Sequence, residues 1–151
     1  MSGELESLYQ QLILDHSKAR TGSGRTGEWD AEHTERSPLC GDVVTLKVHV
    51  SDGRLETVGW DGDGCSISMA SASVFTEQNE GHSVDEVRAA IAEFRTMLRA
   101  RGEHEPDEDL IGDGVAFAGV ARYPMRVKCA LLAWVAAEAS LDQIEAEGAS
   151  A

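Results

Sequence analysis

The segment Ser37-Pro38-Leu39-Cys40-Gly41-Asp42 leads directly into the run Val43-Val44-Thr45-Leu46-Lys47-Val48-His49-Val50. Apolar and polar residues alternate along this run, as expected for a strand with one buried face. The pair Asp52-Gly53 predicts a tight turn, because these residue types tolerate positive φ. Residues 54–61 predict a returning strand with Leu55, Val58 and Trp60 as its apolar members, although their spacing does not alternate strictly. The sequence therefore predicts an antiparallel hairpin that begins just after a thiol and a carboxylate.

Helical patterns surround this hairpin. Apolar residues at helical spacing predict an N-terminal helix over residues 4–16, and polar residues 20–36 predict a surface loop that packs through Trp29. Residues 66–78 predict a helix that follows the connection Gly62-Asp63-Gly64-Cys65, whose glycines allow the backbone to approach a neighbour closely. Small residues at positions 70–73 should let another element pack tightly against this helix.

The second half of the chain is predominantly helical. Ser83 and Glu86 form a capping box at the start of an amphipathic helix that ends by Gly102. Residues 103–109 predict an acidic loop and residues 115–121 a short helical segment. Pro124 suits the first turn of a helix that runs to about residue 139 and is apolar on every side, so it should be buried. The element order predicts an α+β domain with helices packed on a small antiparallel sheet.

The length and composition predict a single domain over residues 1–151, with its core at about 4–142 and a polar C-terminal tail. No apolar run reaches the ~20 residues that span a bilayer, and the N-terminus is acidic, so a cytoplasmic protein without membrane contact is expected. The net charge of −14 argues against nucleic-acid binding. The acidic residues are unevenly distributed. None lies between Asp113 and Glu138, a segment that contains three basic residues: Arg122, Arg126 and Lys128.

The chain has three cysteines, Cys40, Cys65 and Cys129, which cannot all pair internally. Three thiolates together with Asp42 would suit tetrahedral zinc. On spacing alone the alternative stays open, because many cysteines are small buried apolar residues and Asp42 could simply accept hydrogen bonds from turn amides. The five histidines lie in polar segments or at the end of the first helix, and none is expected to be a ligand.

Four motifs carry a resemblance to a known family. They are Leu8-Tyr9 with Ile13-Leu14-Asp15-His16, then Pro38-Leu39-Cys40-Gly41-Asp42, then Gly62-Asp63-Gly64-Cys65-Ser66-Ile67-Ser68, and finally Tyr123-Pro124-Met125-Arg126-Val127-Lys128-Cys129-Ala130. In this order the chain resembles the SufU branch of the IscU superfamily over residues 8–135. IscU proper has a histidine where this chain has Lys128, and a shorter stretch than the 63 residues between Cys65 and Cys129. Both differences favour the SufU branch.

The resemblance implies an IscU-like fold with zinc held by Cys40, Asp42, Cys65 and Cys129. It also implies a zinc-dependent sulfurtransferase of iron–sulfur cluster assembly, in which Cys40 accepts persulfide sulfur from a PLP-dependent, SufS-type cysteine desulfurase. The sulfur would then pass to a downstream iron–sulfur scaffold, and Arg126 would stabilise the added negative charge. Two alternatives use the same residues: a scaffold that carries an iron–sulfur cluster, and a structural zinc domain that only docks partners.

Overall fold

The computed structural model describes residues 3–38, 41–100 and 103–150. In this part of the chain, helices pack against a three-stranded antiparallel sheet, which confirms the predicted α+β class. The strands are β1 (Ala31–Arg36), β2 (Val43–Ser51) and β3 (Arg54–Asp63), and the helices are α1 (Gly3–Ala19), α2 (Ser66–Asn79), α3 (Val84–Arg99), α4 (Glu108–Ile111) and α5 (Pro124–Ser150), with a 3₁₀ helix over Gly112–Arg122 between the last two.

The central hairpin has the predicted form. Val44, Leu46 and Val48 of β2 are fully buried, and the turn residues Asp52 and Gly53 have positive φ angles of 53° and 73°. A β-bulge between His49 and Val50 shifts the pairing with β3 by one residue. This shift brings Leu55 onto the buried face with the even-numbered apolar residues of β3. The bulge therefore explains why the apolar residues of β3 do not alternate strictly.

The prediction of a loop over residues 20–36 is wrong for its last six residues, which form β1 and pair with residues 43–48 of β2. Apart from Ala31, this strand contains only polar and charged residues. An edge strand is held by main-chain hydrogen bonds and needs little apolar burial, so the sequence pattern gave no signal. The ring of Trp29 does pack, against the backbone of Gly59.

Helix α2 lies at the centre of the helical layer, with α1 and α5 both packed against it. Its small residues allow the close approach that the sequence predicted. The hydroxyl of Ser71 donates to the carbonyl of Ala130 at 2.6 Å and accepts the indole N–H of Trp134 at 3.0 Å. The Trp134 ring also stacks on Phe94 of α3, with 4.1 Å between the ring centroids. Three helices therefore share one core with the buried face of the sheet.

The helix boundaries in the structure agree only partly with those predicted from the sequence. The capping box of Ser83 and Glu86 is present, and α3 ends at Arg99, whereas the predicted end at Gly102 lies outside the described residues. The acidic segment 103–109 includes the start of α4, and the segment 115–121 belongs to the 3₁₀ helix. None of the helices in the described ranges is long and apolar enough to cross a membrane.

Helix α5 continues well beyond the predicted end near residue 139, to Ser150. Its polar second half is held by α3: Arg88 pairs with Asp142 and Glu145, each at 2.9 Å. One turn earlier, both guanidinium nitrogens of Arg95 donate to the Glu138 carboxylate. These side chains are polar, so the periodicity of apolar residues did not reveal that this segment packs on α3.

Candidate metal centre

Three of the four predicted ligands meet at one end of the sheet. One carboxylate oxygen of Asp42 and the sulfur atoms of Cys65 and Cys129 all lie within 4.8 Å of one another. Asp42 and Cys129 are buried, with 4% and 1% of their surfaces exposed, and Cys65 is half-buried. The fourth predicted ligand, Cys40, lies outside the described residues.

The topology explains this convergence. Val43 at the start of β2 pairs with Asp63 at the end of β3, so Asp42 is adjacent to the connection that carries Cys65. Cys65 is the N-cap residue of α2, with extended backbone angles. Cys129 lies in the second turn of α5, which packs across β1 and β2. The start of β2, the end of β3 and the first turns of α2 and α5 therefore place the three side chains at the same edge of the sheet.

The backbone on either side of Cys40 is fixed by short hydrogen bonds. The Ser37 amide donates to the Asp42 carbonyl and the Gly41 amide donates to the Ser37 carbonyl, both at 2.8 Å. Gly41 has a φ of 74°, a conformation that disfavours residues with a side chain. The positive φ at Gly41 explains why a glycine stands immediately before the carboxylate.

The Asp42 carboxylate is held by a small network. Its Oδ2 accepts a hydrogen bond from the Ser68 hydroxyl at 2.8 Å and one from the Cys65 amide at 3.3 Å. Burial alone would raise the pKa of Asp42, but hydrogen bonds from the Cys65 thiol, the Ser68 hydroxyl, the Cys65 amide and the Cys129 thiol lower it overall. Asp42 is therefore ionised at neutral pH and available as a ligand.

The residues present suit zinc. Two thiol sulfurs and one carboxylate are the donor types of zinc sites, and a third thiol from Cys40 would complete a four-coordinate set. The N-terminus of α2 at Cys65 carries partial positive charge, which stabilises negative charge in the group. Asp42, Cys65 and Cys129 thus form a cluster that could hold a metal ion.

The other predicted site residue, Arg126, lies in the first turn of α5 and is exposed to solvent, as are Arg122 and Lys128. Between them Tyr123 and Met125 are also exposed, at 61% and 55%. The carbonyl of Met125 lies 3.6 Å from the Cys129 sulfur, so this surface adjoins the candidate metal centre directly.

The histidines lie outside the converging cluster. His16 lies near the end of α1, as the sequence predicted, and is buried between Ser73 and Asp113. His49 and His104 have carboxylate partners elsewhere, Asp30 and Glu93. Ser68, which the sequence analysis did not single out, is in hydrogen-bond contact with both Asp42 and Cys65. Its position three residues after Cys65, in the first turn of a helix, was the available signal.

Comparison with known proteins decides the family. The family model described as the NifU-like N-terminal domain matches residues 8–130, which include Asp42, Cys65 and Cys129. The chain belongs to this family. It is similar to the iron–sulfur cluster assembly scaffold protein IscU of Streptococcus pyogenes serotype M1, at 35% identity over 131 residues, covering 87% of this chain and 80% of that protein. The resemblance to the IscU superfamily is thereby confirmed.

Two further NifU-like relatives extend the comparison. The zinc-dependent sulfurtransferase SufU of Bacillus subtilis strain 168 is 34% identical over 137 residues, which cover 91% of each chain. The crystal structure of a nitrogen-fixing NifU-like protein (N-terminal) from Brucella abortus superposes with a TM-score of 0.84 at 30% identity, covering 91% of this chain and 94% of that one. The fold is therefore that of the NifU-like N-terminal domain family.

Proposed function

We propose that this protein binds zinc and accepts persulfide sulfur for iron–sulfur cluster assembly, acting as a sulfurtransferase. The observation that carries this proposal is the convergence of Asp42, Cys65 and Cys129 within 4.8 Å, beside the segment that contains Cys40. The similarity to a relative described as a zinc-dependent sulfurtransferase supports it.

The zinc ligands in this proposal are Cys40, Asp42, Cys65 and Cys129. Zinc, when bound, would hold its cysteine ligands deprotonated. The buried Asp42 carboxylate and the buried Cys129 sulfur exclude water from the inner side of the site. Cys40 is the sulfur acceptor in this proposal, and the exposure of the neighbouring residues Pro38 and Gly41 supports contact with a partner at this segment.

In the transfer step, the Cys40 thiolate attacks the outer sulfur of a persulfide carried on a partner's cysteine. A new S–S bond forms at Cys40 as the partner's S–S bond breaks, and the partner's thiolate leaves with the bonding electrons. Cys40 then carries the persulfide, with no net oxidation. The partner is a SufS-type cysteine desulfurase that uses PLP, and the sulfur passes on to a downstream iron–sulfur scaffold.

The test combines zinc content with a desulfurase assay. The purified protein should contain about one zinc per chain and should accelerate alanine release by its cognate desulfurase. Cys40→Ser should abolish the acceleration and the persulfide on this chain, whereas Ser66→Ala, at an exposed position beside Cys65, should leave both unchanged. Full acceleration by Cys40→Ser would refute the proposal. Unfolding of that variant would favour a structural zinc domain instead.

A second candidate function is a scaffold that carries an iron–sulfur cluster on the same cysteines. The relatives named IscU scaffold proteins favour it. Protein purified anaerobically would then be brown and would absorb visible light, with iron and sulfide in place of zinc. A colourless protein with one zinc would argue for the sulfur acceptor.

A further inference from the structure

Ser68 connects two of the candidate ligands. The residue is fully buried in the first turn of α2, and its hydroxyl oxygen lies 2.8 Å from Oδ2 of Asp42. The same oxygen lies 3.1 Å from the carbonyl oxygen of Cys65 and 3.7 Å from its sulfur. A single hydroxyl thus touches the carboxylate, the backbone and the thiol of the cluster.

The hydroxyl carries one proton, so its acceptors compete. The Asp42 carboxylate is ionised and is the nearest acceptor, and a hydrogen bond to a charged oxygen is stronger than one to a neutral carbonyl. The Cys65 amide reaches the same oxygen, Oδ2, at 3.3 Å. Two donors on one carboxylate oxygen restrict rotation of the Asp42 side chain.

We propose that Ser68 is a positioning residue for metal binding: its hydroxyl holds the Asp42 carboxylate in the orientation that lets it share a metal with Cys65 and Cys129. This inference rests on the zinc-binding part of the proposed function and is independent of sulfur transfer. Hydrogen-bond partners behind metal ligands commonly contribute 10- to 100-fold to metal affinity.

Ser71, one turn further along α2, provides the structural contrast. It is also fully buried, but its hydroxyl donates to the backbone carbonyl of Ala130 in α5 and accepts the N–H of Trp134. Both serines therefore make buried hydrogen bonds at about the same depth in the fold. Of these two serines, only Ser68 forms a hydrogen bond with a candidate ligand. Comparing substitutions at the two positions therefore distinguishes an effect on metal binding from an effect on packing.

The experiment measures zinc affinity and stability in parallel. Zinc affinity is determined by competition with a chromogenic chelator, and the stability of the zinc-free protein by urea unfolding. Both Ser68→Ala and Ser71→Ala should lower the stability of the zinc-free protein. Only Ser68→Ala should weaken zinc binding, by roughly 10- to 100-fold. Equal zinc affinity in Ser68→Ala and wild type, or an equal loss in Ser71→Ala, would overturn the proposal.

A double-mutant cycle with Asp42→Asn tests the mechanism itself. If Ser68 acts through Asp42, Ser68→Ala should cost little further zinc affinity in the Asp42→Asn background. Full additivity of the two losses would contradict positioning. Failure of the wild-type protein to bind zinc would instead refute the proposed function, so the two failures are distinguishable.

Discussion

Gly64 lies directly against the carboxylate of Asp42. A Cβ atom at Gly64 would lie 2.6 Å from Cγ of Asp42, and 2.8 Å from both its Oδ1 and the hydroxyl oxygen of Ser68. Carbon atoms in real structures do not approach this closely, so a side chain at this position would force Asp42 or Ser68 to move. The connection between β3 and α2 is therefore shaped around the carboxylate that the metal would need.

The substitution Gly64→Ala should displace the Asp42 carboxylate and its partner Ser68. We expect zinc affinity to fall by roughly 10-fold or more, since the ligand and its hydrogen-bond donor both move. The stability of the zinc-free protein should fall by about 1–3 kcal/mol from overpacking. Competition with a chelator and urea unfolding measure the two effects.

Gly119 offers a matched control, because a Cβ there would meet nothing within 4 Å. Gly119→Ala in the 3₁₀ helix should leave zinc affinity at the wild-type value and change stability little. Equal zinc affinity in Gly64→Ala and Gly119→Ala would show that the contact with Asp42 is irrelevant to metal binding.

His16 joins three elements through hydrogen bonds. Its Nδ1 lies 2.9 Å from the Ser73 hydroxyl of α2, and its Nε2 lies 3.1 Å from the Asp113 carboxylate of the 3₁₀ helix. The same hydroxyl accepts the Thr21 amide at 3.0 Å. His16 therefore fastens the end of α1 to the core.

His16→Ala should lower the free energy of unfolding by about 1–3 kcal/mol, because Ser73 is left buried without its imidazole partner. Zinc affinity should not change, since His16 lies outside the metal cluster. His33→Ala, at a half-exposed position on edge strand β1, should change stability far less. Urea unfolding compares the variants, and an equal loss for both would contradict a special role of His16.

Much of the fold was accessible from the sequence, because regular apolar spacing reflects burial. The β2–β3 hairpin, α1, the capped α3 and the apolar first half of α5 all follow such patterns. Strand β1 and the second half of α5 do not. They are held by main-chain pairing and by ion pairs such as Arg88 with Asp142, neither of which leaves an apolar period.

The site was predictable to a different extent. The chemistry of cysteine and the family motifs pointed to Asp42, Cys65 and Cys129. The structure brings these three residues together. The roles of Ser68 and Gly64 depend on distances to Asp42 across the β2–β3 pairing. These distances exist only in the folded chain. The spacing of Ser68 from Cys65 hinted at a contact with the cluster, whereas nothing in the sequence pointed to the contact between Gly64 and Asp42.

The surroundings of Glu93 should make the free energy of unfolding depend on pH in the acidic range. Its carboxylate accepts hydrogen bonds from the Asp107 amide at 2.8 Å and from His104 at 2.7 Å. Burial alone would raise the pKa of Glu93, but these hydrogen bonds and the charge of His104 lower it overall. Because the folded pKa is depressed, ionised Glu93 stabilises the fold above its unfolded pKa of about 4.3, and this stability is lost as the pH falls through the folded value.

The variant Glu93→Gln should therefore be less stable than wild type at about pH 5, and the difference should shrink as the pH falls below about 4. Urea unfolding of the zinc-free proteins, from about pH 5 to below about pH 4, measures this difference in stability. Glu103→Gln, at an exposed position in the adjoining loop, should show no such convergence with wild type. A difference for Glu93→Gln that stays constant or grows toward low pH would contradict the assignment.

Arg126 provides a prediction about sulfur transfer. An ionised persulfide on Cys40 would carry its negative charge on the outer sulfur, and Arg126 is an exposed cation three residues before Cys129. Arg126→Gln should slow persulfide formation on Cys40 by roughly 2- to 5-fold, as expected for an interaction of about 1 kcal/mol or less at the surface. Zinc content should be unchanged, because Arg126 is not a ligand.

Mass spectrometry of the persulfide over time, with desulfurase and cysteine in excess, measures this rate. The effect should shrink at roughly 0.5 M salt, where exposed charges are screened over a few ångströms. Arg122→Gln, at the end of the 3₁₀ helix and four residues further from Cys129 along the chain, removes the same charge and should slow the reaction less. Equal slowing by both substitutions would indicate general attraction of an acidic partner by the basic segment, and would remove Arg126 from a specific role beside Cys40.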